Sequence, residues 1–227
     1  MQHHLSRLLL ACAAGLLSAS TLLVNPPAAA ASCTPPARGA GYAWMGVSET
    51  MSGARAVYSE IKTYDPFVGG SGFSYAWVML PGSGSNQWAQ IGSYKSAAGR
   101  TTTAQFMQQS FAYAIQYDWP AKTVGSVHSY SVGRDPATHV FQAYVDGSSV
   151  KSITLDWTPN GAQIYSEITP LSNQLMGEAS NHETFGNNQI MNASAQWQTF
   201  AGQVSTPTTS FGSNGSAISF GTWDLCK

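Results

Sequence analysis

The sequence predicts an all-β protein, an antiparallel β-sandwich or jelly roll, and three observations carry that reading. Apolar residues recur with a period of two, not 3.6, along most of the chain. Turn residues interrupt these runs every ten or so residues, the spacing of a sandwich or barrel. Ten Tyr, nine Phe and seven Trp supply the ring-rich composition that suits pleated faces or a binding groove. No segment shows a convincing helical repeat, and no internal repeat or second domain is evident.

The elements follow in chain order. Residues 1 to about 31 read as a secretory signal peptide. Met1 to Arg7 is polar with one cation, Leu8 to Val24 is apolar and uncharged, and Asn25-Pro26-Pro27 breaks the run before the small residues Ala28 to Ala31. The competing reading is a membrane anchor, but about 17 apolar residues lie at the short limit for spanning. Leu9-Leu10-Ala11-Cys12 is a poor lipid-attachment box, because too few apolar residues precede the cysteine. Residues 32–227 are then one exported domain with no further membrane segment, long enough for a sizeable core.

Within that domain, 54–61 alternates as a half-buried strand. Residues 73–80 form a stronger one, stopped by Pro81-Gly82. Gly82 to Asn86 is a turn into a strand over 88–94, and 101–107 continues the meander. The runs 140–145 and 150–155 flank Asp146-Gly147, a strong hairpin signal. Strands over 162–168, 195–200 and 217–225 complete the set.

Cys33 and Cys226 stand at the two ends of the exported chain, and in an oxidising compartment they read most simply as a disulfide. Such a bond would close nearly the whole chain, the loop size that most restricts the unfolded state in the entropy account. Ten basic and eleven acidic residues leave no basic stripe, so nucleic acid is not an expected partner.

Several chemistries lack their residues. There is no Gly-x-Ser-x-Gly elbow, and no cysteine is left over as a nucleophile if the disulfide forms. His128, His139 and His182 are scattered without ligand spacing, so each reads as a surface or packing residue and no metal or cofactor is implied. Gly69-Gly70-Ser71-Gly72 is a turn without a phosphate loop's lysine.

What remains is amides and carboxylates on strands. Only 9% of residues are charged, so an acid inside an apolar strand is informative. Gln163, Tyr165 and Glu167 share one strand face, and Trp88, Gln90 and Gly92 share another. If both faces line one side of a curved sheet, Gln90 and Glu167 can meet across it. The same spacing also reads as a solvated glutamate and a surface amide. Trp77 and Trp88 read as core.

These residues also resemble the neprosin family of β-sandwich glutamic endopeptidases. Gly53-Ala54-Arg55-Ala56, with Tyr64-Asp65-Pro66-Phe67-Val68 after it, resembles that family's glycine-alanine-x-alanine start and proline-x-valine turn. The stretch from Phe73-Ser74 to Trp77-Val78, then Trp88 to Gly92, resembles its tryptophan strand and glutamate-alanine-glycine strand. Ala162 to Ile168 resembles the strand that ends in glycine-glycine-glutamate-valine. Leu175-Met176-Gly177 and Thr184-Phe185-Gly186 resemble its methionine-glycine and glycine-phenylalanine-glycine landmarks.

The resemblance places the catalytic pair at Gln90 and Glu167, with Glu178 in reserve for the carboxylate. Gln90 is an amide where neprosins have glutamate. The related fungal glutamic peptidases use a glutamine and a glutamate, and Gln90-Ile91-Gly92 is similar to their glutamine-x-glycine strand. Tyr165 and Ser166 replace glycines, and their bulk bears on the width of the groove. The implied activity is extracellular hydrolysis of a polypeptide substrate by a monomer. A non-catalytic jelly-roll module that binds carbohydrate or a cell-surface ligand is the alternative.

Overall fold

Strand alternation decides which side chains meet in this protein. In the computed structural model, which describes residues 41–170, 173–205 and 211–225, fifteen strands run in chain order. They are β1 (Ala43–Thr50), β2 (Ala56–Lys62), β3 (Phe73–Pro81), β4 (Trp88–Ser96) and β5 (Gly99–Met107). Then come β6 (Ile115–Pro120), β7 (Val127–Arg134), β8 (Val140–Val145), β9 (Ser148–Thr154) and β10 (Gly161–Thr169). The last five are β11 (Glu183–Met191), β12 (Trp197–Thr199), β13 (Gln203–Val204), β14 (Phe211–Ser216) and β15 (Ser219–Asp224). No helix occurs among the described residues.

The strands form two antiparallel sheets packed as a sandwich. The first has the order β13-β1-β10-β3-β4-β5-β6. The second has the order β14-β15-β11-β2-β7-β8-β9, with β12 beside β11. All pairs of named strands are antiparallel, as the alternating pattern requires. The Asp146-Gly147 turn joins β8 to β9 with positive φ at both residues, 52° and 74°. That is the twist a two-residue hairpin needs.

The inward faces interdigitate as one apolar layer. Ala76, Val78 and Leu80 of β3 and Ala89 and Ile91 of β4 pack toward Val57 and Ile61 of β2, Val132 of β7 and Phe185 of β11. Each fully buried Val, Leu, Ile or Phe of this layer contributes on the order of 1.5–3 kcal/mol. One end of the layer is polar. Glu183 of β11 is fully buried, with Thr222 of β15 and Ser166 of β10 as neighbours.

Cys12, Cys33 and Cys226 lie outside the described residues, as does the whole segment 1–40. The signal peptide and the disulfide therefore stay expectations.

Candidate active site

The outward face of the first sheet is set by the alternation of β10, β3, β4 and β5, and their register lays its side chains out in rows. One row runs Trp44, Glu167, Tyr75, Tyr94, Thr101. The next runs Gly46, Tyr165, Trp77, Gly92, Thr103. The third runs Ser48, Gln163, Met79, Gln90, Gln105, Gln116. A cavity of about 500 Å³ lies over this face, and Gln90, Glu167, Trp77, Trp88 and Tyr165 line it.

Gln90 and Glu167 thus share one groove, on a diagonal. They are two strands and two rows apart, about 10 Å across the strands and about 13 Å along them at ordinary sheet spacings. They do not hydrogen-bond to each other. The row between them holds Tyr165, Trp77 and Gly92, and Trp77 stands on the strand that separates the two side chains. Gly92 itself is buried, and a Cβ there would sit 1.8 Å from the backbone oxygen of Ala76.

Glu167 is the one carboxylate among the cavity's lining residues. Trp77 Nε1–H donates to its Oε2 at 2.9 Å, which fixes the carboxylate and leaves the other oxygen for a second donor. Burial pushes the Glu167 carboxyl above its ordinary range, and the Trp77 hydrogen bond partly opposes that. Tyr75 and Tyr94 beside it are neutral phenols, raised first by burial and further by the Glu167 charge.

Gln90 is 6% exposed and oriented by a chain of amides. Its Nε2 donates to Gln105 Oε1 at 2.8 Å, and Gln105 Nε2 donates to Gln116 Oε1 at 2.7 Å. Gln116 Nε2 in turn donates to both oxygens of Asp118, at 3.1 and 3.0 Å. An ionised carboxylate only accepts, so Asp118 sets the direction of the whole chain. Gln90 is left with its carbonyl oxygen and one N–H to offer.

Three sequence expectations change. Trp77 and Trp88 line the groove and do not belong to the layer between the sheets. The small residues of β3 face inward and its large rings face outward. Ser166 does not narrow the groove, because it points the opposite way, into the interior beside Glu183. Tyr165 does line it, 5.3 Å from the Trp77 ring.

Glu178, the reserve carboxylate, is not among the residues lining the groove. Its backbone bridges to Asn181 and Asp224, on the loop between β10 and β11, and its carboxylate helps raise the Tyr64 phenol, which burial raises first. His128 contacts Asp146, and His182 stacks on Trp223 with 3.9 Å between centroids. No group of three metal-ligating side chains occurs among the described residues. The Asp118 chain and the Trp77 hydrogen bond were not foreseen from sequence; alternating polar residues at 116 and 118 were the available signal.

No protein-family model matches the chain, and no curated protein matches it. Solved structures do. The crystal structure of scytalido-glutamic peptidase with a transition state analog inhibitor aligns over 82% of this chain and 100% of its own, with TM-score 0.61 and 13% identity. SCP-B, a member of the eqolisin family of peptidases in complex with the tripeptide Ala-Ile-His, aligns over the same shares with TM-score 0.58 and 12% identity. The likeness is one of fold. The glutamic-peptidase sandwich that the resemblance implied is shared, whereas the neprosin family itself has no match at the level of sequence.

Proposed function

We propose that this chain is a glutamic-type peptidase whose catalytic groups are Glu167 and Gln90 on the outward face of the first sheet. One observation carries the reading: a single, partly desolvated carboxylate is held by an indole N–H inside an aromatic groove that also contains an oriented amide, two strands away beyond Trp77. The fold supports it, since the aligned structures hold a transition-state analogue in one case and a tripeptide in the other.

The chemistry follows from the groups. A peptide lies across the groove between Glu167 and Gln90, over Trp77. Glu167, ionised, takes a proton from water as the water oxygen attacks the carbonyl carbon, and later returns that proton to the leaving amine. Gln90 would donate its remaining N–H to the oxygen on which negative charge develops once the substrate spans the diagonal between the two side chains, a contribution of about 10²–10³ in rate. Trp77 holds Glu167 Oε2, so the other oxygen faces the water. The exposed rings of Tyr42 and Trp44 at the rim favour apolar residues on the substrate.

The reading also includes export, with the chain beginning between Ala29 and Cys33, and a Cys33–Cys226 bond; intact mass of the secreted protein before and after reduction tests both. The activity is tested on a mixed protein digest at about pH 4 and about pH 7, read by mass spectrometry for new termini. New termini flanked by apolar residues support the reading. A digest left intact at both pH values would overturn it.

A further inference from the structure

The outward face of the second sheet, on the other side of the sandwich, carries a larger trough of about 660 Å³. That volume falls within the range of small-ligand sites, about 300–1,000 Å³. Register explains its shape. Gly133 of β7 pairs with Ala56 and with Gln142, and Ser131 pairs with Tyr58 and with Tyr144. Small residues therefore make a low floor along β7 and the start of β2.

Tyr144 and Gln142 form one wall. Tyr58 and Trp197 form the other, with ring centroids 6.3 Å apart and edge to face. Trp197 is 45% exposed, so its ring is available to a ligand. The polar side chains there are neutral: Gln142 bonds Ser149, and the Tyr58 hydroxyl donates to Glu60 beyond the wall.

One end of the trough is charged. Arg55 and Arg134 line it, and the Arg134 N–H donates to the Arg55 carbonyl at 2.7 Å, so the two side chains leave touching backbone. Arg134 is 8% exposed. The Nε of each arginine is buried and has no hydrogen-bond partner among the described residues. Among the described residues neither guanidinium is within ion-pair distance of an acid; Asp135, the acid lining this end, accepts from the Ala137 N–H and acts on both arginines only through its field. Arg134 is buried and Arg55 half-buried, and buried donors without partners, as both Nε atoms are, are rare in folded proteins. An anion supplies what both lack.

The walls narrow the class of anion. β8, β7, β2 and β11 are each paired on both sides, so the floor offers no free backbone edge to an extended peptide. Recognition falls to ring faces, an amide, hydroxyls and guanidinium forks. Sugar rings lie flat on aromatic faces, and guanidinium groups take a carboxylate in two parallel hydrogen bonds. We propose that this trough is a binding site for an acidic glycan, with a uronate carboxylate on Arg55 and Arg134 and the adjoining sugar rings against Trp197, Tyr58 and Tyr144.

The test is calorimetric titration of the exported protein with tri-galacturonate, maltotriose and tri-glutamate. Tri-galacturonate should bind saturably with Kd below about 1 mM, at least about tenfold tighter than either of the others. Arg55→Gln and Trp197→Ala, both at partly exposed positions, should each raise Kd about tenfold or more while the melting temperature holds. Glu167→Gln should leave it unchanged. Equal binding of maltotriose, tighter binding of tri-glutamate, no saturation by 10 mM, or an Arg55→Gln variant of unaltered Kd would each overturn the proposal. Loss of binding in Glu167→Gln would do the same, by moving the ligand to the other groove.

Discussion

Replacing Glu183 with glutamine should change how folding stability depends on pH. Glu183 is fully buried on the inward face of β11. Among the described residues its Oε1 has no hydrogen-bond partner, and its Oε2 has a long contact of 3.4 Å from the Thr222 hydroxyl. Burial pushes its pKa up from 4.5 to about 8, opposed in part by Ser166 and Thr222. At about pH 4 the carboxyl is protonated in both folded and unfolded chains and has no pH-linked effect. As the pH rises, the unfolded chain releases this proton while the folded chain retains it, so stability falls. The slope approaches 1.36 kcal/mol per pH unit, giving a loss of about 3 kcal/mol by pH 7 and about 5 kcal/mol once the pH passes 8. Glu183→Gln keeps the shape and removes the titration. Urea unfolding of both proteins from pH 4 to pH 9, with equal m-values, measures the difference directly. Relative to wild type, the variant should gain about 5 kcal/mol across that range. A wild-type-minus-variant difference that stays constant within about 1 kcal/mol would refute the argument.

Four further outcomes follow from the groove. Gly92→Ala drives a Cβ into the Ala76 carbonyl oxygen, so β3 and β4 must separate; a loss of at least about 2 kcal/mol is expected in thermal or urea unfolding. Trp77→Phe removes a hydrogen bond to an ionised group, typically about 1.5–3 kcal/mol. Glu167 then holds its proton to higher pH, and the acid limb of the kcat/KM profile should move up by about one to two pH units. Asp118→Asn removes the group that fixes the direction of the amide chain, so kcat should fall by about tenfold or more with little change in KM, while Gln90→Ala should lose at least about 10².

The fold was legible at several strands with one apolar face, although β6, which alternates as cleanly, was not picked out. Residues 88–94, 140–145 and 162–168 read correctly, and Asp146-Gly147 announced its hairpin. Strands β7 and β11 were not legible. Val127–Arg134 places only Tyr130 and Val132 in the apolar layer, among serines and a glycine. Glu183–Met191 carries a register shift between Gly186 and Gln189 that breaks the period of two.

In the site, alternation put Gln90 and Glu167 on matched faces, but not their diagonal offset. That offset depends on how β3 registers against β4 and β10, a long-range property with no local signal. Trp77 was misread for a related reason. Both faces of β3 are apolar, and the sandwich uses Ala76, Val78 and Leu80 inside while the bulkier Phe73, Tyr75, Trp77 and Met79 face the groove.

The central claim is that Glu167 is the base in a peptide-cleaving groove. The most direct measurement is the rate of peptide hydrolysis by wild type, Glu167→Gln and Glu178→Gln, followed side by side at acidic and neutral pH with melting temperatures recorded. Wild type should cleave, and Glu178→Gln should cleave at a comparable rate. Glu167→Gln should lose hydrolysis while its melting temperature stays close to that of wild type. Full activity in Glu167→Gln would contradict the account, as would a wild-type protein that cleaves no peptide at any pH.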